Sequence, residues 1–267
     1  MSIYQDKNLY SLMERYYKNY YLYDLKLPDW RRRFENNRIE EEDLLGPKVV
    51  GYFENLNLNN KKILIVGGGT GAEVFYMHNH FTNANVHVVE PFEDAIEILH
   101  VKAQLLNFPL ENIKQSFAES LPFEGNFFDI VVCFTVLEHV NSVERSILEM
   151  YRVVKEKGVV MIETPNYLFP EEQHYKVTLF PPRISKTLAR LNLKIYGRYT
   201  DFFESLNFFS NHDLDKLFVE NDIPYVRKDQ KYLKYAGWKN FIRYFPRYIF
   251  SWLFGVSRNQ LIFIKKK

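Results

Sequence analysis

Glycines crowded into one short turn point most directly to chemistry in this chain. Gly67, Gly68, Gly69 and Gly71 follow an apolar run at residues 63–66, and such a run predicts a strand buried on both faces. The residues after the turn have the pattern of a first helical turn. Strand, glycine turn and helix together let a ligand approach bare backbone at a helix N-terminus. The pattern predicts a nucleotide-type cofactor site rather than an ordinary tight turn.

Two kinds of cofactor fit this turn. Gly67, Gly69 and Ala72 match the GxGxxG/A fingerprint of dinucleotide-binding proteins. Gly67, Gly69 and Gly71 equally match the GxGxG turn of S-adenosylmethionine enzymes. Both cofactors require an acidic residue at the end of the next strand to hold ribose hydroxyls, and Glu90 ends the next apolar run. The turn alone leaves the choice open.

The elements that position these residues alternate along the middle of the chain. Strands are predicted at 62–66, 86–90, 112–117, 128–134 and 159–163, with helices at 93–106 and 143–154 between them. This alternation predicts an α/β fold with a doubly wound, mostly parallel sheet. Ser210 can cap a helix over 211–220, and strands at 224–231 and 260–266 predict a terminal antiparallel hairpin. Residues 164–209 read as irregular.

Composition limits the class of protein. The 267 residues suit one large domain or one domain with additions, and 46% of them are hydrophobic. A net charge of +2 gives no nucleic-acid signature. The single cysteine, Cys133, excludes an intrachain disulfide and favours a buried small hydrophobe in a reducing compartment. With no apolar signal core or membrane-length run, we expect a cytoplasmic protein.

Four segments resemble the class I S-adenosylmethionine-dependent methyltransferases. They are residues 63–71, the Glu90-Pro91 pair, residues 118–140 and residues 151–166. The third is the most specific, because its Leu-Pro-Phe, Phe-Asp and Leu-Glu-His groups are not a dehydrogenase pattern. The resemblance implies a seven-stranded Rossmann-like sheet, S-adenosylmethionine as cofactor and methyl transfer as the reaction.

The resemblance also implies a role for individual residues. The glycine turn would pass under the methionine part of the cofactor, and Glu90 would accept hydrogen bonds from both ribose hydroxyls. Ala118 and Glu119 would border the adenine. Thr135 and Leu137 would line the sulfonium and methyl end. All follow strands at their carboxyl ends, where open α/β sheets bind ligands.

One position departs from the family pattern. The family usually carries Asp or Glu two residues before the first glycine, and this chain has Ile65. The departure keeps open a non-catalytic binding protein on the same fold. The alternative match through Ala72 keeps open a NAD(P)-dependent oxidoreductase.

Two histidines are the candidate catalytic residues. His139 and His174 could each act as a general base, which methyl transfer needs only if the acceptor is a hydroxyl of high pKa. A structural role for either is an equal alternative. No cluster of His, Cys and carboxylate residues has metal-ligand spacing, so no metal is expected.

The chain divides into three predicted parts. Residues 1–46 are a helical N-terminal extension, 47–166 the cofactor-binding core, and 167–267 a substrate-side segment. The last part contains an aromatic and basic stretch at 237–255, which suits packing on the sheet, a homodimer contact or a membrane surface. The expected acceptor is an oxygen of a small molecule, a sugar or a lipid-linked compound. Nucleic acid is not expected, peripheral membrane contact stays open, and so does the oligomeric state.

Overall fold

A seven-stranded sheet forms the centre of the molecule in a computed structural model, which describes residues 3–36, 58–175, 177–228 and 257–266. The strands are β1 Lys62–Val66, β2 Asn85–Glu90, β3 Ile113–Gln115, β4 Phe128–Phe134, β5 Val154–Pro165, β6 Glu171–Glu172, β7 Val177–Thr178, β8 Tyr225–Arg227 and β9 Asn259–Lys265. The large sheet has the order β3-β2-β1-β4-β5-β9-β8, and β6 pairs with β7 separately. The first five strands pair in parallel, whereas β9 is antiparallel to both β5 and β8. The predicted sheet and its terminal hairpin are confirmed.

Alternate residues of the central strands enter two different cores. In β1, Ile63 and Ile65 belong to one buried cluster, while Leu64 and Val66 belong to the other. Cys133 of β4 is buried in the second cluster, as predicted. Because side chains of a strand alternate between faces, a continuous apolar run marks a strand covered on both sides.

Helices cover both faces of the sheet. They are α1 Lys7–Lys18, α2 Trp30–Phe34, α3 Ala72–His80, α4 Glu93–Leu106, α5 Val143–Val153, α6 Lys186–Ile195, α7 Phe202–Ser205 and α8 Asn211–Glu220. A π-helical segment, Asn19–Asp24, extends α1. Ser210 caps α8 in a complete capping box, with Asp213 as its partner. The predicted bounds of α4 and α8 agree with the structure.

The prediction of irregular structure over 164–209 is wrong. This segment contains the β6–β7 hairpin and the helices α6 and α7. Ser185 caps α6 by accepting a hydrogen bond from the Leu188 amide, a start signal that the sequence analysis passed over. Many aromatic residues surround α6 in the sequence, and they obscured its helical period. Several of them pack in a third core with α1 and α2.

That third core contains residues from both the first and the last of the three predicted parts of the chain. Leu9, Tyr17 and Phe34 from the N-terminal helices share it with Tyr175 and Phe203. The predicted part boundaries at 46 and 166 stay predictions. The stretch 237–255 lies outside the described residues. Among the residues that are described, no helix has the length and apolarity needed to cross a membrane.

Candidate active site

The glycine turn connects β1 to α3 and is tied to the neighbouring strand. The amides of Gly67 and Gly68 both donate to the carbonyl oxygen of Val89, at 2.9 and 3.1 Å. The Gly71 amide donates to the Gly68 carbonyl oxygen at 2.9 Å and α3 begins directly afterwards. Gly67, Gly69 and Gly71 all have positive φ, which L-residues with a Cβ rarely adopt. The turn is therefore a fixed structure that needs glycine for backbone reasons.

Space around the turn separates one glycine from the others. A Cβ on Gly67 would lie 2.3 Å from a Val136 methyl, and one on Gly71 would lie 2.4 Å from the Phe75 ring. A Cβ on Gly69 would meet no atom within 4 Å. Gly67 and Gly71 thus serve internal packing, whereas Gly69 exposes its backbone to open space.

Glu90 lies at the end of β2 beside that open space. Its Oε2 accepts a hydrogen bond from the Gly69 amide at 2.9 Å, and its Oε1 accepts one from the Phe92 amide at 3.2 Å. The side chain is buried, and burial raises its pKa against the lowering effect of these two amides. Each carboxylate oxygen can accept a second hydrogen bond, so the residue can hold hydroxyl groups while keeping the turn in place.

The surroundings of Ile65 are consistent with an apolar residue where the family usually has an acidic one. It is 4% exposed and packs in the first core, opposite Val88 of β2 and Val132 of β4. The turn is held instead by the Val89 carbonyl and the Glu90 carboxylate. An acidic side chain is therefore not needed at position 65 to shape this turn.

The residues predicted to border adenine adopt two different environments. Ala118 is buried in the second core. Glu119 accepts hydrogen bonds through Oε1 from the Asn141 and Ser142 amides, at 2.6 and 3.1 Å. Its Oε2 is buried and has no hydrogen-bond partner among the described residues. That oxygen remains available to a ligand, while the other one supports the start of α5.

Thr135 and Leu137 also differ, although both follow β4. Leu137 is fully buried in the second core, so its side chain serves packing. Thr135 is exposed and has a φ of 52°, an outlier for a β-branched residue. Its amide donates to the Glu163 carbonyl at 2.8 Å. Strain of this kind costs about 1–3 kcal/mol and concentrates at functional sites, so Thr135 is the stronger candidate of the two.

The two candidate bases come together. The ring centroids of His139 and His174 are 5.1 Å apart. His139 lies just after β4, and His174 lies in the turn between β6 and β7. Potential ligand atoms of Glu138, His139 and His174 all lie within 4.8 Å of one another. The expectation that no such cluster exists is corrected, because the β6–β7 hairpin folds back over the end of β4.

Buried carboxylates surround this pair of histidines. Glu172 Oε1 lies 2.6 Å from His174 Nδ1, and Glu172 Oε2 accepts a hydrogen bond from the Tyr175 amide at 2.7 Å. Glu138 is fully buried, and its Oε2 accepts a hydrogen bond from the Thr164 hydroxyl at 3.2 Å. Glu138 Oε1 is buried without a hydrogen-bond partner among the described residues.

Burial dominates the proton affinities at this place. It raises the pKa of Glu138 to about 7, while positive charge on His174 opposes the shift. The crowded surroundings lower the pKa of His139, and His174 adds like-charge repulsion. Burial also raises the pKa of the Tyr167 hydroxyl, and the carboxylates of Glu172 and Glu138 raise it further. Burial thus disfavours the charged forms of Glu138, His139 and Tyr167.

The N-terminal helix, α1, contacts the glycine turn. The Tyr17 hydroxyl and the Thr70 hydroxyl are hydrogen-bonded at 2.8 Å. Arg15 of the same helix pairs with Glu97 of α4 at 2.8 Å. The sequence predicted a helical N-terminal extension, but the contact between Tyr17 and the glycine turn had no signal in the sequence.

Comparison with known proteins finds similarity to methyltransferases over the middle of the chain. Residues 64–162 match the sequence profile of a methyltransferase domain. The chain is similar to 2-methyl-6-phytyl-1,4-hydroquinone methyltransferase 1 of Oryza sativa subsp. japonica, with 30% identity over 43% of this chain and 38% of the relative. It is also similar to the ubiquinone biosynthesis O-methyltransferase of Rickettsia akari, with 30% identity over 45% of each chain. The matches thus span less than half the length of either curated relative.

Solved structures agree on the fold. A crystal structure of a methyltransferase from Thermotoga maritima, described as S-adenosylmethionine-dependent and a possible histamine N-methyltransferase, superposes with a TM-score of 0.53. The superposition covers 97% of this chain and 100% of that one at 17% identity. At this identity the likeness concerns the fold alone.

Proposed function

We propose that this chain, whose residues 64–162 match the profile of a methyltransferase domain, is a class I S-adenosylmethionine-dependent methyltransferase that transfers a methyl group from S-adenosylmethionine to an oxygen of a small-molecule acceptor. The observation that carries the proposal is the open space over Gly69, with the Glu90 carboxylate 2.9 Å from the Gly69 amide. A cofactor with a ribose can lie against this backbone and donate its hydroxyls to Glu90.

The sheet argues against the dinucleotide alternative. Dinucleotide-binding domains of the doubly wound type carry the strand order 3-2-1-4-5-6 with parallel strands. Here the strand beyond β5 is the antiparallel β9, and β8 lies outside it. Glu90 would serve either cofactor, so the sheet and the family match decide in favour of S-adenosylmethionine.

The protein's own residues would mainly align and dehydrate the reactants. S-adenosylmethionine supplies an electrophilic methyl group on a sulfonium that leaves as a neutral thioether. The strained Thr135 backbone and the Glu138–His139–His174 group lie just past the end of β4 or beside it, where the acceptor oxygen must meet that methyl group. We place the release of the acceptor's proton at this group, because alignment alone does not make a neutral hydroxyl a good nucleophile.

An acceptor can approach from one identifiable side. An open depression of about 470 Å³ is lined by three aromatic residues and four polar ones: Tyr23, Tyr199, Phe202, Asp24, Lys26, Thr200 and Asp201. The Phe202 ring centroid lies 5.7 Å from that of His139 and 5.5 Å from that of His174. Aromatic rings beside polar side chains suit a planar acceptor that carries hydroxyl groups. The names of both curated relatives, which concern a hydroquinone and ubiquinone, support the same class of acceptor.

Calorimetric titration with S-adenosylmethionine tests the cofactor part of the proposal. We expect one site in the parent, and Glu90→Ala should weaken binding by about 2–3 kcal/mol because charge-assisted hydrogen bonds to the ribose are lost. Glu93→Ala removes the same charge from an exposed position nearby and should bind like the parent. NADH titrated in parallel should give no heat of binding. Equal affinity of the Glu90→Ala and Glu93→Ala variants would contradict the assignment.

A further inference from the structure

We infer that Glu138, His139 and His174 form a binding site for a divalent first-row transition-metal cation beside the acceptor position. The role of that cation in methyl transfer rests on the function proposed above, whereas the binding of the cation does not. Three residues from two distant segments supply one carboxylate and two imidazoles, with potential ligand atoms all within 4.8 Å of one another.

The distances suit a site that closes on the ion. In a tetrahedral site, two ligand atoms that each lie about 2.1 Å from the cation are about 3.4 Å apart. The ligand atoms here lie within 4.8 Å of one another, so they have to approach one another by at most about 1.4 Å. His139 is exposed on one side, so its ring has room to make this movement.

Charge balance gives an independent reason for a cation. Glu138 and Glu172 are both buried. Glu172 pairs with His174 at 2.6 Å, whereas Glu138 forms no ion pair with lysine or arginine among the described residues. Buried carboxylates normally need a paired positive charge or a metal. Glu138 Oε1 is buried and has no hydrogen-bond partner in the described part of the chain. It is therefore the atom to which a cation would bind first.

The surrounding hydrogen bonds have the form that supports metal ligands. Glu172 engages Nδ1 of His174 at 2.6 Å and is itself held by the Tyr175 amide, so Nε2 is the nitrogen of His174 that would bind the ion. The Thr164 hydroxyl donates to the second oxygen of Glu138. A carboxylate on the far nitrogen of a ligating histidine fixes its tautomer and orientation.

The ligand types select the class of ion. Imidazole nitrogens favour Zn²⁺, Cu²⁺, Fe²⁺ and Ni²⁺, whereas Mg²⁺, Ca²⁺ and Mn²⁺ prefer oxygen ligands. Three protein ligands leave at least one coordination position open for water or an acceptor atom.

The open position defines what the cation would do. An acceptor hydroxyl bound there would lose its proton to water at a lower pH, because the cation stabilises the alkoxide or phenolate oxygen. That oxygen then forms the new O–CH₃ bond while the electron pair of the S–CH₃ bond stays on sulfur. A vicinal pair of hydroxyls, as in a catechol, could use two open positions and would be the preferred acceptor geometry.

Direct metal titration tests the site without any acceptor. Chelator-treated, tag-free full-length protein is titrated with Zn²⁺ by calorimetry and with Co²⁺ by visible spectroscopy. We expect one equivalent to bind and Co²⁺ to develop d–d bands, with Mg²⁺ giving neither signal. Glu138→Gln, His139→Ala and His174→Ala should each weaken binding by 100-fold or more, and Glu172→Gln by about 10–100-fold. His100→Ala, which removes an exposed histidine, should leave binding unchanged.

One further measurement, the binding of S-adenosylmethionine, keeps the outcomes distinct. Binding of S-adenosylmethionine should be the same in the parent and in the four cluster variants, which shows that each variant is folded. If S-adenosylmethionine binds and Zn²⁺ binds no more tightly to the parent than to His174→Ala, the cation site is wrong and the proposed function stands. If Zn²⁺ binds as expected and S-adenosylmethionine does not bind, the proposed function is wrong and the cation site stands.

Discussion

The two sides of the candidate site are held in place by different kinds of contact. On the cofactor side, Gly69 and Glu90 belong to adjacent strand ends and bond to each other through the Gly69 amide. On the acceptor side, His139 follows a central strand, whereas His174 belongs to a small separate hairpin. The first arrangement depends on pairing within the sheet, and the second depends on a segment folding back over it.

This difference affects how each side responds to change. The cofactor turn is buried in the structure that also forms the main cores, so damage there should appear as lost stability. The acceptor side is held by contacts between separate segments, such as the Arg183–Asp213 ion pair at 2.6 Å. The Tyr17–Thr70 hydrogen bond at 2.8 Å likewise joins a separate segment, α1, to the edge of the glycine turn. Changes to these contacts should be milder and more local.

Ile65→Asp should have the largest effect on stability. It places a carboxylate in a fully apolar position between β2 and β4, and we expect the free energy of unfolding to fall by about 3–5 kcal/mol. Ile65→Val, the matched control, should cost about 0.5–1.5 kcal/mol. Urea unfolding measures both. An Ile65→Asp variant as stable as the parent would mean that the turn can accept the family's acidic residue after all.

Asp213→Asn should have an intermediate and pH-dependent effect. Arg183 and the Ser210 groups hold the pKa of Asp213 below its usual range, so the ionised form stabilises the fold above the unfolded-state pKa near 4. That contribution is lost as the pH falls through the lower pKa of the folded state. At pH 7 we expect the loss of this cap to cost about 1 kcal/mol.

Unfolding by urea at a series of pH values checks this. The difference between parent and Asp213→Asn should be present at pH 7 and should shrink steadily below about pH 4. Asp222→Asn, a change at the turn after α8, provides the control. A difference that is constant with pH would show that Asp213 acts through packing rather than through its charge.

Tyr17→Phe should have the smallest effect. It removes one hydrogen bond between α1 and the glycine turn and leaves the ring in the third core, so the expected cost is about 0.5–1.5 kcal/mol. Hydrogen exchange should be faster in α1 than in the central strands of the variant. Tyr23→Phe, at a tyrosine that is 60% exposed, should leave exchange in α1 as in the parent. Uniformly faster exchange would contradict a local role.

The sequence predicted the elements whose pattern is local. The bounds of β4, α4 and α8 follow from apolar runs, helical period and a capping serine, all of which are read from neighbouring residues. The helix α6 was missed although Ser185 caps it. Three apolar residues of this helix, Leu188, Leu191 and Ile195, are exposed. The spacing of its apolar residues therefore did not mark a buried face.

By itself, the amino-acid sequence determined the cofactor side: a glycine turn after a buried strand and an acidic residue at the next strand end meet because parallel strands place their carboxyl ends at one edge. Only the tertiary structure decided the acceptor side. Glu138 and His139 meet His174 because the β6–β7 hairpin returns across the end of β4, and no periodicity or spacing encodes that return. The burial of Ile65 and Leu137 was also decided by the tertiary structure, because burial depends on what packs against a strand and not on the strand alone.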